Sequence, residues 1–311
     1  MTTTGTPTRN GIESMEPGGG RHAAAVRSRR RRDANHHSGE RWAFVRPVVS
    51  LCVATLFAMP LYLVVANVFK PGADIGPSPW SLPTRPTLAN IRAVLDRPDH
   101  LFWNGLLNSI EITVISIVLI TLISAMLGYA IARSTHIGAK IVLAFLVCGL
   151  MVPSAVILTP ITQILRYLNL MNTVPGLVLV NMGYYIPFGV FLFAGFVRTV
   201  PIELEEAAAI DGAGSLRIFW QIVFPLLRPA SASVLIFLGV WIWSDFLNPL
   251  IILGPTAGTT VTVGVYRAIG EHSSNLGALF GFMFLASLPV LIFFLAFQRH
   301  FVKGLTGGAT K

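Results

Sequence analysis

Charge is scarce in this sequence. Of 311 residues only 12% are Asp, Glu, Lys or Arg, against 53% that are hydrophobic. A soluble domain carries about 25% charge, so the composition excludes an ordinary water-soluble fold, and the mean hydropathy of +0.68 agrees. Cysteine is nearly absent: Cys52 and Cys148 stand in different apolar segments, which excludes a disulfide framework and a cysteine metal site. No G-x-x-x-x-G-K-[ST] stretch occurs, so the chain carries no phosphate-binding loop of that kind. The seven histidines (His22, His36, His37, His100, His136, His272 and His300) are scattered over the tail, loops and segment edges, with no nucleophile placed to match. The expectation is a non-catalytic chain with no metal and no cofactor of its own.

What the sequence has instead is oil in long runs. Pro47–Phe69, Ile112–Ala132, Ile141–Leu165, Tyr167–Val197, Pro229–Ser244 and Ser273–Gln298 hold no charge. A bilayer core takes about 20 apolar residues per helix, and isolated strands cannot satisfy their backbone in lipid. The runs predict an all-α integral membrane protein with six transmembrane helices, over about 48–69, 108–132, 141–163, 175–197, 230–253 and 277–298. The fifth reaches full length only by continuing past Asp245. Together they make a membrane domain over 47–298, flanked by a basic tail over 1–46, expected to be disordered, and a short tail over 299–311.

Lys and Arg set the orientation. With both termini inside, the inner segments hold 17 of the 23 basic residues, nine of them in the amino-terminal tail, and the outer loops hold six. That bias places both termini in the cytoplasm. The Arg27–Arg32 cluster then reads as a topology signal held near anionic lipid, and nothing beside it suggests a nucleic-acid fold. The tail is too long and polar, and the first apolar run too wide, for a secretory signal. The first outer loop, Lys70–Gly105, is rich in proline and forms an irregular cap rather than a domain. It fits equally a surface that meets an outside partner and a lid that only covers helix ends.

The segment 199–229 breaks the pattern. It is polar, faces inward, and carries four acids: Glu203, Glu205, Glu206 and Asp211. Thr199 and Pro201 suit a helix start, the glutamates suit its amino terminus, and Ala207, Ala208 and Ala209 are strong helix formers. Gly212 and Gly214 end that helix, and Ser215 suits the cap of a second. In the second, Leu216, Phe219, Trp220 and Val223 fall on one apolar face. A small, smooth, acidic helix tied to a surface-anchored one has the layout of a docking element for a cytoplasmic partner.

Polar groups within the apolar runs are few. Asp245 is the only acid near the middle of an expected span, and Trp241, Asp245 and Asn248 recur at i, i+4, i+7 on one helical face. Asn181, Tyr184, Tyr185 and Phe188 have similar spacing in the fourth run. Aromatic rings with amide and carboxylate groups suit a sugar, which stacks on one and hydrogen-bonds to the other. Helix–helix hydrogen bonding is the competing reading of the same residues. Prolines fall in five of the runs.

At the acidic segment the chain resembles a known family. Glu206-Ala207-Ala208, three residues, Gly212, nine residues, then Ile222-x-x-Pro225 looks like the EAA loop of ABC importer permeases. Phe224 stands where that family usually has leucine. Asn108-Ser109, Tyr129-Ala130-Ile131-Ala132-Arg133, Asn172-Thr173, the stretch Trp243–Ile251 and the ending Gly304-Leu305-Thr306-Gly307-Gly308 extend the resemblance, over about residues 45–311, to the carbohydrate-uptake, maltose-permease-like branch. Ser244 stands where the branch often has asparagine. The resemblance implies a type I ABC importer permease fold in the cytoplasmic membrane. It further implies an ATPase dimer, a second homologous permease subunit, an extracytoplasmic solute-binding protein and a sugar substrate. ATP and Mg would be used by the ATPase, which would seat Glu203, Glu206, Ala207, Ala208, Asp211, Gly212 and Ala213 in a groove. Glycerol phosphate is an alternative substrate of the same branch. An ion-driven secondary transporter would need inverted repeats, broken helices and a second buried charge near Asp245, none of which the sequence displays. A membrane scaffold would leave the polar faces of the fourth and fifth runs without a use.

Overall fold

The first long apolar run does form one helix, α1, Pro47–Val68. In the computed structural model, residues 47–255, 258–271 and 275–306 are described, and every regular element among them is helical. The basic tail over 1–46 lies outside the described residues. The chain divides into two compact units, the first ending at Tyr62 and the second beginning at Leu63. Within the second lie the end of α1 and all later elements.

Two short helices, α2 (Gly72–Ile75) and α3 (Ala89–Leu95), punctuate the proline-rich outer loop. The loop is held by amide groups and one cation. Lys70 is 2% exposed; its Nζ donates to the Ser78 carbonyl (2.7 Å) and to Asn67 Oδ1 (3.0 Å). Loop carbonyls and one side-chain amide thus take the place of a carboxylate around the ammonium. Asn90 on α3 donates Nδ2 to the carbonyls of Val68 (2.8 Å) and Lys70 (2.7 Å).

The core is built on α4 (Leu101–Arg133) and α7 (Val174–Val197). On α4 the buried Ser116, Ile120, Ser124 and Gly128 follow every fourth residue, a mostly small stripe on one face. A methyl group at Gly128 would lie 2.8 Å from Phe193 Cβ and 3.0 Å from the Ala194 nitrogen, so the backbones approach as far as glycine permits. Such close approach is how apolar helices associate where lipid is as oily as leucine. Ile112, Ile120, Leu177, Phe193 and Val197 fill the same core. Thr173 caps α7, its hydroxyl accepting from the Gly176 nitrogen at 3.1 Å.

Two expected spans are interrupted. Over 141–163 the chain forms α5 (Ile137–Gly149) and α6 (Ser154–Tyr167), which meet at 104°. Pro153 immediately precedes α6, and the absence of its N–H favours a new helix start over continuation. The expected span over 230–253 is α11 (Arg228–Ser244), a break at Asp245 and Phe246, and α12 (Leu247–Ile252). Four described helices are long and apolar enough to cross a membrane, or up to six if each of two bent pairs counts as one. The second bent pair joins the segment Ser215–Leu226 to α11 at 72°.

A helix absent from the sequence reading, α13 (Val261–Glu271), lies between α12 and the last helix, α14 (Leu276–Thr306). Its start is bound from α4: Ser109 Oγ accepts from the Val261 nitrogen (2.9 Å), and Asn108 Nδ2 donates to the Thr259 carbonyl (3.0 Å). Helix α14 runs past the expected boundary at 298 and continues through 306.

Candidate functional site

The acidic helix, α8, spans Glu203–Ile210. It starts two residues after Pro201, with three glutamates in its first turn and no side-chain cap. It ends as the glycine demands. Gly212 has φ of +78°, the Gly212 nitrogen donates to the Ala209 carbonyl (3.0 Å), and the Ala213 nitrogen donates to that of Ala208 (3.0 Å). This pair of bonds satisfies the last carbonyls, and the left-handed residue between them costs little only for glycine.

Most of α8 faces outward. Glu203, Glu206, Ala207, Asp211 and Gly212 are exposed, whereas Ala208 and Ala213 are half-buried against the core. Beside them Ile210 is 87% exposed, giving a small surface with an acidic margin and an apolar centre. One acid is different. Glu205 is 8% exposed and is clasped from α4, accepting from Tyr129 Oη at 2.8 Å and from Arg133 Nε at 2.8 Å. Arg133 Nη2 also donates to the Val200 carbonyl at 2.8 Å. By motif and position Glu203 and Glu206 are expected on this surface, whereas in the sequence Glu205 is one acid among several. No local spacing connects residues 72 apart in the chain; only the two charged groups flanking apolar runs hinted at a pair.

The second stretch is corrected in two respects. Ser215 is the first residue of α9 (Ser215–Ile218) and makes no side-chain cap; the capping position is Gly214. The single apolar face through Leu216, Phe219, Trp220 and Val223 does not form either. Residues Phe219–Val223 adopt a π-helical turn, followed by α10 (Phe224–Leu226). The wider turn changes the register, so Ile218, Phe219 and Val223 are buried while Leu216 and Trp220 are exposed. Phe219 packs its ring 5.3 Å from that of Tyr129.

The intramembrane candidates separate into two groups. Tyr185 and Trp241 stack with ring centroids 6.0 Å apart, and Phe188 (4.9 Å) and Phe237 (5.9 Å) close round the same indole. Trp241 remains 42% exposed. Asp245 stands beyond the end of α11 in extended conformation, so Trp241, Asp245 and Asn248 do not share one continuous helical face. The break brings Asp245 and Asn248 together in another way. Asn248 Nδ2 donates to Asp245 Oδ2 at 2.8 Å, and Thr262 Oγ1 donates to the Asp245 carbonyl at 2.7 Å. Asn248 is 5% exposed and its Oδ1 has no protein partner.

Asn181 does not join this group. It is buried against α4 with Nδ2 donating to Ser116 Oγ (3.1 Å), which is the helix–helix reading of that residue. Tyr184 turns toward α6, donating to the Ser154 carbonyl (3.1 Å) at the wall of a largely apolar cavity of about 410 Å³ lined also by Ile161, Leu165 and Pro187. Among the described residues no group of His, Cys, Asp and Glu is arranged to hold a metal ion.

These features sit within a recognised sequence family. Residues 124–307 match the family described as binding-protein-dependent transport system inner membrane component. The chain is 32% identical over 265 residues to the melibiose/raffinose/stachyose import permease protein MelC of Bacillus subtilis, covering 85% of this chain and 95% of that one. It is 34% identical over 275 residues to the multiple sugar-binding transport system permease protein MsmG of Streptococcus mutans, with 87% and 96% covered. In fold it resembles a chain of a bacterial ABC transporter involved in the import of the acidic polysaccharide alginate. The TM-score is 0.75 at 20% sequence identity, over 85% of this chain and 98% of that chain. The chain therefore belongs to the binding-protein-dependent inner membrane permease family, and is a multi-pass membrane subunit of a transport system.

Proposed function

We propose that this chain is the transmembrane permease subunit of an ATP-driven importer for a carbohydrate, a mono- or oligosaccharide, working by alternating access in the cytoplasmic membrane. The observation that carries the reading is α8. An exposed acidic helix of small residues, closed by Gly212 and held to α4 through Glu205, is suited to seat in another protein and to pass on its motion. Its partner would be one member of an ABC ATPase dimer, which would bind and hydrolyse ATP with Mg; this chain would bind no cofactor. A second homologous permease would complete the pathway, and an extracytoplasmic binding protein would deliver the sugar. A crystal structure of the alginate transporter with a pentasaccharide-bound periplasmic protein has a chain of similar fold, with a TM-score of 0.62.

The distribution of Lys and Arg supports six crossings with both termini and the 199–229 segment inside. The sugar reading draws on the sugars for which the relatives are named and on the aromatic group around Trp241, with Asp245 and Asn248 beside it. No Lys or Arg lies inside any of the six expected spans, which favours a neutral sugar over a glycerol phosphate. Broken helices would suit an ion-driven transporter, but no second buried acid or base stands beside Asp245 among the described residues.

The test is a mild-detergent purification of the tagged protein from its native membrane, followed by mass spectrometry. Recovery of an ABC ATPase, a second permease and a tethered binding protein, with ATP-dependent sugar uptake after reconstitution, is the expected result. Uptake driven by an ion gradient from this chain alone would overturn the reading.

A further inference from the structure

We propose that Tyr129 and Arg133, at the carboxyl end of α4, are positioning residues that carry the displacement of α8 into the membrane helices through Glu205. The proposal rests on the coupling role of α8 given above and names the element that receives the push. A docking helix transmits motion only if it is fixed to what must move. Here α8 has no side-chain cap of its own, and its first turn is held from outside. Arg133 makes a fork: Nε reaches Glu205 Oε1 (2.8 Å) while Nη2 reaches the Val200 carbonyl (2.8 Å), gripping both α8 and the strand of chain that leads into it. Tyr129 Oη takes the other carboxylate oxygen (2.8 Å).

Burial makes this grip firm. Glu205 is the one buried acid on an otherwise exposed helix, so breaking its bonds would strand a charge away from water. Charge-assisted bonds of this kind are about twice as strong as neutral ones. The ring of Tyr129 does a second thing: it packs 5.3 Å from Phe219, the first residue of the π-helical turn that leads toward α11. One turn of α4 thus touches both arms of the 199–229 segment. From there the path continues into α7, because α4 lies against it so closely that no side chain would fit at Gly128. Movement of α8 must therefore either move α4 with α7 or break the clasp.

The clasp is a coupling device rather than a staple if its loss changes transport per ATP hydrolysed. The experiment uses the full complex, purified with its ATPase pair and reconstituted in liposomes with the binding protein. It measures solute imported per ATP hydrolysed for wild type, Tyr129→Phe, Glu205→Gln, Arg133→Lys and Arg133→Ala. Coupling between sites commonly amounts to roughly 5–150-fold, and a loss of about tenfold in this ratio is expected for Glu205→Gln and Arg133→Ala. Arg133→Lys keeps the charge but loses the planar fork that reaches Glu205 through Nε and Val200 through Nη2, so it falls between wild type and alanine. Tyr129→Phe keeps the ring on Phe219 and loses one bond, with a smaller drop. An unchanged ratio in all variants that retain the ATPase would overturn the proposal. If Arg133→Ala and Glu205→Gln both fail to assemble, the ratios for Arg133→Lys and Tyr129→Phe decide. A wild-type complex that neither holds an ATPase nor imports with ATP would instead refute the importer reading beneath it.

Discussion

Tyr185 on α7 and Trp241 on α11 stack at 6.0 Å with their planes 30° apart, although 56 positions separate them in the chain. The contact joins two helices and leaves much of the indole open, which is the form a sugar-stacking platform takes. Such a ring contact contributes about 0.5–1.5 kcal/mol beyond burial. Trp241→Ala is therefore expected to raise the half-saturating sugar concentration by roughly two- to tenfold, measured as uptake by reconstituted complex. Tyr185→Ala should act in the same direction by disturbing the platform. Unchanged uptake kinetics in both would place the pathway elsewhere.

Asp245 offers a separation of charge from structure. Its carboxylate accepts from Asn248 and lies at the junction of α11 and α12. Asp245→Asn keeps a side-chain acceptor at that junction, whereas Asp245→Ala does not. Both should reduce uptake. Only the alanine variant should also lower the thermal midpoint in detergent, since it leaves the buried amide of Asn248 without its partner, at a cost of about 1–3 kcal/mol. Full transport by Asp245→Asn would show that the charge has no part in the pathway.

Gly212 is required by its backbone. With φ at +78° and open space around its α-carbon, a larger side chain there meets no steric neighbour but does meet conformational strain. Gly212→Val should cost about 1–2 kcal/mol locally and weaken retention of the ATPase during purification. Gly212→Asn, which tolerates left-handed geometry better, should retain more. Equal retention by both would remove the helix terminus from the docking surface. Gly212→Pro forbids the conformation outright and should uncouple transport while the chain still inserts.

Gly128 makes the opposite case. Its φ is ordinary, and the constraint is Phe193 and the Ala194 backbone on α7. Gly128→Val should destabilise the protein by separating α4 from α7. Limited proteolysis and thermal unfolding in detergent would record the loss, and a wild-type midpoint would contradict the close packing described above.

Local chemistry alone determined a good deal here. Runs without charge marked a membrane protein, and α7 appears where hydropathy placed it, because a long apolar helix satisfies its own backbone whatever surrounds it; α4 covers its expected span but begins earlier, at Leu101, within the stretch expected to be loop. The acidic helix was equally legible: glutamates at the start, alanines within and Gly212 at the end are preferences that act within one turn. Other features depended on residues far apart. Whether the chain bends near Pro153 or unwinds at Asp245 depends on which neighbours pair with the freed backbone groups, as Thr262 does by donating its hydroxyl to the Asp245 carbonyl. The π-helical turn at Phe219–Val223 redistributed a face that a 3.6-residue period had made continuous. The sequence also marked Glu206 by motif, but only the tertiary structure selected Glu205 as the acid that is held. Its partners Tyr129 and Arg133 reach it across the packed helices, and burial, not sequence spacing, makes that bond strong.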